Sequence, residues 1–365
     1  MIGGRLNRYM MTQTLTGLGL AALTISTVII LVDFVEQSRA IGTRVDASTL
    51  DLLSLTLLKT PALLETTLPF IFLFGILTSL FRLNRRSELI VMRASGMSAW
   101  RILTAPMLLA ICAGIAGAVA LNPLAAMGSA EFQNRRDQLM NVQRATGVEE
   151  PIWLRETSED GFTVIAATAL QENRQELMDP TFYIFTLDEN GVPNLDRRID
   201  AAQARLSDGF WQIIDAVERS PNAPTRTLQE ETLPTQINRQ ALFERSRSPE
   251  GVSFWDLPQL ISSAREAGLA TERYELRWHS LLALPLTLLA ATLIAAAATL
   301  RLHRLGGAAA FALAGGLAGF VMFFLQELLG SMGTTGALPP LTAAWAAPAL
   351  TALIALTYIA STEDG

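Results

Sequence analysis

Cysteine, lysine and histidine are nearly absent from this chain of 365 residues. Its single cysteine, Cys112, can form no intramolecular disulfide, and a zinc site built from several thiolates is excluded. Neither histidine, His279 or His303, lies in an H-E-x-x-H pattern, and no G-x-S-x-G or phosphate-binding G-x-x-x-x-G-K-[ST] segment occurs. The sequence therefore predicts no catalytic residues, no metal site and no nucleotide hydrolysis by this chain.

Charged residues are also scarce, at 17% of the chain, whereas 50% of the residues are hydrophobic. This composition is typical of a membrane protein. Residues 123–270 hold 23 of the 34 acidic and 14 of the 28 basic residues, a net charge of −9, against +3 for the remainder. The uneven charge indicates a polar domain, 123–270, inserted between two membrane parts, 1–122 and 271–365.

Six apolar runs are long enough to cross a bilayer as helices. They lie near 12–34, 62–81, 102–122, 278–299, 307–329 and 341–360. The first run is longer than the apolar part of a signal peptide and no small-residue cleavage site follows it, which favours an uncleaved helix.

Arginines cluster at the ends predicted to be cytoplasmic, and the 330–340 loop on the other side has no charge. The positive-inside rule then places both termini in the cytoplasm and the inserted domain on the far side.

Between about 145 and 240, short alternating segments bounded by turn residues replace the long apolar runs. Strands spaced in this way predict a β-sandwich or a jellyroll-like sheet. Alternation assigns one apolar face to Trp153, Phe162, Val164, Tyr183, Phe185, Trp211 and Ile213. An ordinary core and a hydrophobic lipid groove give the same pattern, so both interpretations stay open. Residues 253–277 return to a helical period and predict an amphipathic helix before the fourth span.

The segment RSELIVMRASG, residues 86–96, joins the second and third predicted spans. Ser87 is a candidate N-cap, Gly96 is a stop signal, and a helix of two or three turns fits between them. So short a helix persists only when another surface packs on it. It is either a docking helix, with Glu88 pairing an arginine of a cytoplasmic partner, or an interfacial helix whose arginines reach anionic lipid.

RSELIVMRASG closely resembles the coupling helix of the LptF/LptG family, the permease subunits of the lipopolysaccharide-transport ABC exporter, and is most similar to the G type. Further segments match the family in the same order: FVEQSRAIG, PIWLRE followed by FTVI, and LPQLISSAREAGLATERYELRWH. The resemblance covers nearly the whole chain. Alternatives are the F-type paralogue of the same complex and, from another class, a membrane-anchored periplasmic scaffold, which would need no coupling helix.

The resemblance implies a multi-pass protein of the bacterial inner membrane with six spans, split three and three by a periplasmic β-jellyroll-like domain. Such a permease extracts lipopolysaccharide from the outer leaflet of the inner membrane and passes it to a periplasmic protein bridge. The implied partners are the F-type permease LptF, the dimeric ATPase LptB, the single-span jellyroll protein LptC and periplasmic LptA, with no nucleic acid. ATP and magnesium belong to LptB, so this chain is expected to bind no cofactor and to be no enzyme.

Coupling to the ATPase is then mechanical, with the second and third spans carrying motion from residues 85–98 into the cavity between the permeases. The residues assigned to this coupling are Arg85, Arg86, Ser87, Glu88, Leu89, Met92, Arg93 and Gly96. The jellyroll groove is assigned to Trp153, Phe162, Tyr183, Phe185 and Trp211.

Extraction of such a lipid requires an apolar cavity for acyl chains and cations for phosphates. The apolar candidates are Ile29, Ile30 and Phe34 on the first span and Phe320, Met322, Phe323, Phe324 and Leu328 on the fifth. Arg135 and Arg136 are the phosphate candidates, and by resemblance Arg136 matches a basic position associated with substrate contact. Interfacial anchoring is the alternative role for this arginine pair.

Asp33 and Glu36 lie at the outer end of the first span, where charged residues are usually functional or paired. Relatives often carry a basic residue where Asp33 stands, which favours a divalent-cation bridge or an ion pair with Arg136 or Arg39 here. In the fifth span, Gly315 and Gly319 indicate either close approach of another helix or lipid-facing packing.

Overall fold

A computed structural model of the chain describes residues 2–41, 48–144, 152–158, 161–167, 169–171, 176–187, 193–207, 209–221, 223–235, 249–266, 270–300 and 308–363. The chain forms two compact units, one comprising residues 1–136 with 249–365 and the other residues 137–248. The second unit is narrower than the 123–270 segment marked by charge, because residues 123–136 and 249–270 pack with the membrane helices.

The first unit is helical. Its elements are α1 (Ile2–Ala40), α2 (Thr49–Arg85), α3 (Glu88–Ala94), α4 (Ala99–Ala116), a π-helical turn (Gly117–Leu121), α5 (Asn122–Arg144), α6 (Leu257–Glu266), α7 (Glu272–Leu300), α8 (Ala308–Thr334) and α9 (Pro340–Glu363). The predicted amphipathic helix at 253–277 corresponds to α6 and the first turns of α7.

Six of these helices, counted over the described residues, are long and apolar enough to cross a membrane: Leu6–Ala40, Thr49–Arg85, Ala99–Arg136, Glu272–Thr299, Leu313–Thr334 and Pro340–Thr362. All six predicted spans are therefore confirmed, and most extend beyond the apolar run because polar flanking residues continue the helix. The protein is a multi-pass membrane protein.

Glycines allow the membrane helices to touch through their backbones. A Cβ added to Gly114 would lie 2.3 Å from the Cα of Pro285, so α4 and α7 meet there without an intervening side chain. A Cβ on Gly319 would lie 2.2 Å from the side chain of Leu73, and one on Gly315 would lie 2.8 Å from that of Ala298. The prediction of close helix approach at Gly315 and Gly319 is confirmed.

The second unit contains an antiparallel sheet of eight strands. These are β1 (Ile152–Ser158), β2 (Gly161–Ala167), β3 (Ala169–Gln171), β4 (Glu176–Met178), β5 (Thr181–Leu187), β6 (Pro193–Ser207), β7 (Phe210–Ser220) and β8 (Ala223–Pro234). The long β6 pairs with β5 and β4 on one side and with β7 on the other, and β8 pairs with β7. This sheet, inserted between membrane helices, confirms the predicted fold class.

The sheet curls so that two of its terminal strands, β1 and β8, approach each other. Thr235, directly after β8, donates a hydrogen bond through its Oγ1 to the Oε2 of Glu156 on β1 at 2.8 Å. One apolar cluster joins residues from strands that are distant in the pairing order: Ile165, Phe182, Ile199, Trp211, Ile213 and Leu233. The concave side of the curled sheet is therefore its core.

The predicted apolar face is divided between the two sides of the sheet. Trp211 and Ile213 are buried in the core, as expected. Val164 and Tyr183 are cross-strand partners that alternate with the fully buried Ile165 and Phe182, and so point to the convex side. The prediction that all seven residues share one face is wrong, because alternation fixes parity within a strand and leaves the register between strands undetermined. The side chain of Trp153 lies outside the described part of the structure.

Candidate functional site

The short helix α3 ends as the sequence predicts but begins differently. Gly96 has a φ of +82°, and the amide nitrogens of Gly96 and Met97 donate to the carbonyl oxygens of Arg93 and Met92. This is a Schellman C-cap, so the Gly96 stop signal is confirmed. Ser87 occupies the N-cap position with a φ of +60°, yet its side chain caps no backbone amide. The predicted capping role of Ser87 is wrong, because the left-handed backbone turns its hydroxyl away from the first helical turn.

Two faces of α3 have different surroundings. Leu89 is 3% exposed and lies in the main core cluster, against which Met92 also packs. Val91 is 67% exposed and Ile90 is 41% exposed. Among the basic residues assigned to coupling, Arg85 and Arg86 are exposed and Arg93 is half-buried. Leu89 and Met92 thus anchor α3, which leaves an outer face with Ile90 and Val91 at its centre.

Glu88 joins α3 to the beginning of α1. The Tyr9 hydroxyl donates to Glu88 Oε2 at 2.5 Å, and Arg86 Nη1 lies 3.9 Å from Glu88 Oε1. The sequence prediction left Glu88 free for an arginine of another protein. Tyr9 was missed because its sequence signal, a tyrosine in the first turns of a long apolar helix, is also what interfacial anchoring produces.

The other end of α1 carries a buried ion pair. Lys59 Nζ on α2 lies 2.6 Å from Asp33 Oδ1, and the Lys59 ammonium stands 5.9 Å above the Phe132 ring. The side chain of Asp33 is 4% exposed and that of Lys59 is 32% exposed. The partner of Asp33 is therefore Lys59, where the sequence had suggested Arg136 or Arg39. Lys59, the only lysine of the chain, is a functional candidate that the sequence analysis missed.

The other charged candidates near this end are accessible to solvent or lipid. Arg135 Nε donates to Glu131 Oε1 at 2.7 Å, one helical turn earlier on α5. Arg136 and Glu36 are exposed. One nitrogen of the Arg135 guanidinium therefore already donates to Glu131, whereas the Arg136 side chain is exposed on the helix surface.

An apolar face runs along α1, α2 and α8. In the most apolar segment of α1, and likewise in that of α8, only 17% of the residues are buried. In the most apolar segment of α7, 67% of the residues are buried. Phe320 and Phe324 on α8 are 59% and 61% exposed, and Phe74 on α2, between the two helices, is 43% exposed. Ile30 and Phe34 on α1 are half-buried. This face is far more apolar than the surface of a protein surrounded by water.

The apolar candidates on α8 separate into two groups. Phe320, Phe324 and Leu328 are exposed. Met322 is buried at 4% exposed, and the Phe323 ring packs on Phe70 of α2 at 4.9 Å. Met322 and Phe323 are thus packing residues, because they lie on the helix face that meets α2.

A second polar cluster lies inside the helical unit. Arg277 Nη2 donates to Glu65 Oε1 at 2.5 Å, and Asn122 Nδ2 donates to Glu65 Oε2 at 3.0 Å. The backbone nitrogen of Phe254 donates to Asn122 Oδ1 at 2.7 Å, and Trp255 Nε1 donates to the carbonyl of Val119 within the π-helical turn at 3.2 Å. The cluster connects α2, α5 and α7 to the segment before α6. Glu65, a single acid within an apolar run, is the sequence signal from which this cluster could have been predicted.

The curled sheet holds a cavity of about 280 Å³. Its apolar lining consists of Phe162, Ile165, Phe182, Ile184, Phe185, Trp211 and Leu233, and Arg197 and Glu156 are among its polar lining residues. The rings of Phe162 and Phe185 stack at 4.8 Å. The pairing of β5 with β6 shifts between Ile184 and Phe185, where β6 has one extra residue, Asp196, at the edge of the cavity lining.

Tyr183 belongs to the opposite, convex side. Its ring lies 5.4 Å beneath the Arg198 guanidinium, and the hydrogen bond from Arg198 to Asp200 raises the pKa of Arg198. Of the five predicted groove residues, Phe162, Phe185 and Trp211 therefore line the cavity and Tyr183 does not. The side chain of the fifth, Trp153, lies outside the described residues.

The sequence is similar to known permeases along almost its entire length. A model of the family described as "Lipopolysaccharide export system permease LptF/LptG" matches residues 8–361. Lipopolysaccharide export system permease protein LptG of Haemophilus influenzae is 24% identical over 343 residues, which cover 92% of each chain. The protein of the same name from Escherichia coli K12 is 22% identical over 351 residues, which cover 93% of this chain and 94% of the relative.

Proposed function

This chain belongs to the LptF/LptG permease family, and we propose that it is the G-type half of an exporter that extracts lipopolysaccharide from the inner membrane. The observation that carries this proposal is the unburied apolar face of α1 and α8. A single membrane helix can leave such a face to lipid, but two helices flanking Phe74 form a broad wall. Paired with the wall of an F-type permease, LptF, it encloses an apolar chamber large enough for acyl chains.

Cations at one end of this wall suit the phosphates of the lipid. Lys59 is partly exposed beside Asp33, and Arg136 is exposed on α5. Charge-assisted hydrogen bonds from such groups to phosphate are roughly twice as strong as neutral ones. The acyl chains enter the apolar wall while the head group stays at the membrane boundary, where Lys59 and Arg136 contact it.

The energy for extraction comes from a partner ATPase, LptB, that docks on the outer face of α3 in the cytoplasm. Val91 and Ile90 supply exposed apolar contacts, and the neighbouring Arg85 and Arg86 supply charge. The anchored face of α3 then transmits the movement of the ATPase to the membrane helices. The chain itself acts as a transport subunit, with both termini on the ATPase side.

The cavity of the sheet receives the acyl chains on the periplasmic side. Its apolar lining matches hydrocarbon, and no strand pairing joins β1 to β8 among the described strands, so the sheet stays open between these two edges. Unpaired strand edges are templates for adding another sheet. The sheet of LptC docks on such an edge and continues the apolar path toward LptA.

The decisive experiment is reconstitution of this chain with its permease partner and ATPase in proteoliposomes loaded with labelled lipopolysaccharide. ATP is expected to drive transfer of the lipid to a soluble periplasmic acceptor, and a phospholipid of similar size is expected to stay behind. Transfer that proceeds equally without this chain, or without ATP, would refute the assignment.

A further inference from the structure

The coupling segment holds α1 directly. The Tyr9 hydroxyl of α1 donates to Glu88 of α3 at 2.5 Å. Leu89, the residue after Glu88, lies in the same apolar cluster as Met10, the residue after Tyr9. The hydrogen bond from Tyr9 to Glu88 thus links the two helices directly, next to residues that both lie in the main core. Force applied to α3 can therefore reach α1 directly through this bond, in addition to reaching α2, on which α3 also packs.

Of the helices near α3, α1 is the most continuous, because it has neither a proline nor a π-helical turn. It runs through 39 residues from Ile2 to Ala40 without a proline. In contrast, α2 contains Pro61 and Pro69, and α4 leads into a π-helical turn. Prolines and π-helical turns are the usual sites at which helices bend. A displacement at the Tyr9 end of α1 is therefore transmitted to its Asp33 end with the least bending of the helix.

The backbones of α1 and α2 touch at one close crossing. A Cβ added to Gly17 would lie 2.4 Å from the carbonyl oxygen of Gly75, and one added to Gly75 would lie 2.8 Å from the Cα of Leu18. At about 1.5 Å of rise per residue, this crossing lies about 12 Å from Tyr9 and about 24 Å from Asp33. Backbone in contact with backbone has no flexible side chain to absorb movement, so the crossing can act as a pivot.

At the far end, α1 is tied to α2 by the ion pair between Asp33 and Lys59 at 2.6 Å. Asp33 Oδ2 is buried without a hydrogen-bond partner in the described structure, so a single contact occupies this carboxylate. A modest tilt of α1 separates the two charged groups. Their separation leaves the Lys59 ammonium available to an anionic head group, and their return displaces that head group.

We propose that α1 is a lever that pivots on the contact between Gly17 and Gly75, driven at Tyr9 by Glu88 and acting at Asp33 on the Lys59 ion pair. The arm on the Asp33 side is about twice as long as the arm on the Tyr9 side. Movement at α3 is thereby doubled and reversed in direction at the head-group end. The lever rests on the proposed function, and Tyr9 is a positioning residue in it.

The test measures the movement of α1 in the assembled complex of both permeases and the ATPase. Cys112, the only cysteine, is exposed and is first replaced by serine. Spin labels are then attached at Val35 on α1 and at Leu57 on α2, both exposed, with partner subunits that lack reactive cysteines. The distance between the labels is expected to change when ATP and vanadate trap the ATPase in its closed state.

Tyr9→Phe removes only the hydroxyl and keeps the aromatic packing. The label distance without nucleotide and the recovery of the complex are expected to match the parent protein. The nucleotide-dependent change in distance and the lipid released per ATP hydrolysed are each expected to fall about tenfold, the factor that loss of one hydrogen bond to a charged group produces. An undiminished distance change and release ratio in Tyr9→Phe would overturn the lever.

The pivot has its own matched pair of variants. Gly17→Ala forces α1 and α2 apart, whereas Gly19→Ala meets nothing within 4 Å. Gly17→Ala is expected to reduce lipid released per ATP severalfold, about the effect of one lost backbone contact, while Gly19→Ala behaves as the parent. Equal release ratios in both variants would overturn the pivot. Failure of the parent complex to release lipid with ATP would instead refute the proposed function. A failure of the lever and a failure of the proposed function are therefore distinguishable.

Discussion

Arg277 and Glu65 form an ion pair of 2.5 Å between α7 and α2, with side chains 21% and 5% exposed. Asn122 donates to the second oxygen of the Glu65 carboxylate, so both oxygens have partners. Asn122 also accepts from the backbone of Phe254. One buried carboxylate thus holds three helices and the segment before α6 in a fixed arrangement, and none of these groups can be removed without leaving another unsatisfied.

Arg277→Met is expected to destabilise the helical unit by about 3–5 kcal/mol, because it leaves the Glu65 charge buried without its cation. The double variant Glu65→Gln with Arg277→Met is expected to recover most of that loss. Unfolding of the detergent-solubilised protein by denaturant measures both. The control is Arg265→Met at the ion pair with Glu275, in which the arginine side chain is 68% exposed, and its loss is expected to cost under about 1 kcal/mol. Equal losses for Arg277→Met and Arg265→Met would contradict the cluster's structural role.

Lys59 and Asp33 are expected to have opposite effects on lipid binding. Lys59→Met removes the proposed phosphate contact and is expected to weaken lipopolysaccharide binding about tenfold, whereas Lys59→Arg is expected to retain most of the binding. Asp33→Asn frees the ammonium and is expected to tighten binding a few-fold, an order-of-magnitude estimate for one competing charge. Titration with labelled lipopolysaccharide at two salt concentrations measures these changes. A loss of binding in Asp33→Asn equal to that in Lys59→Met would mean that the pair only braces α1 against α2.

Val91 is expected to be a docking residue for the ATPase. It is 67% exposed on a helix that is anchored from its other side by Leu89. Val91→Asp puts a charge into an apolar contact worth about 1.5–3 kcal/mol, so co-purification with the ATPase is expected to fall at least about tenfold. Leu195→Asp, the same kind of change at an exposed apolar residue of β6, is the control. Undiminished co-purification in Val91→Asp would place the docking surface elsewhere.

Residues on the two sides of strand β5 can show whether the lipid passes through the cavity of the sheet. Ile184 lines the cavity, and its neighbour Tyr183 lies on the convex side beneath Arg198. A photo-reactive amino acid at position 184 is expected to crosslink lipopolysaccharide during ATP-driven transport, and the same group at position 183 is expected not to. Crosslinking of equal yield at both positions would mean that the lipid passes outside the sheet.

The sequence predicts those features of the structure that depend on neighbouring residues in the chain. The six spans and the Gly96 stop are local properties, since they depend on a run of apolar residues and on one left-handed backbone position. The predicted aromatic face of the sheet was wrong at Tyr183 because cross-strand register decides which strand faces lie on the same side of a sheet. The anchoring of Leu89 was hidden for a similar reason, because a helix of seven residues shows too little periodicity to reveal its buried face.

The sequence by itself determined that this is a six-span permease with an inserted sheet, because hydrophobicity along the chain and motif order are one-dimensional properties. The tertiary structure alone decided which polar side chains meet: Lys59 with Asp33, Tyr9 with Glu88, and Arg277 with Glu65. These partners are separated by 26, 79 and 212 residues. Which of the many possible partners a buried charge receives depends on how the helices cross, and that geometry is set by the packing of the whole unit.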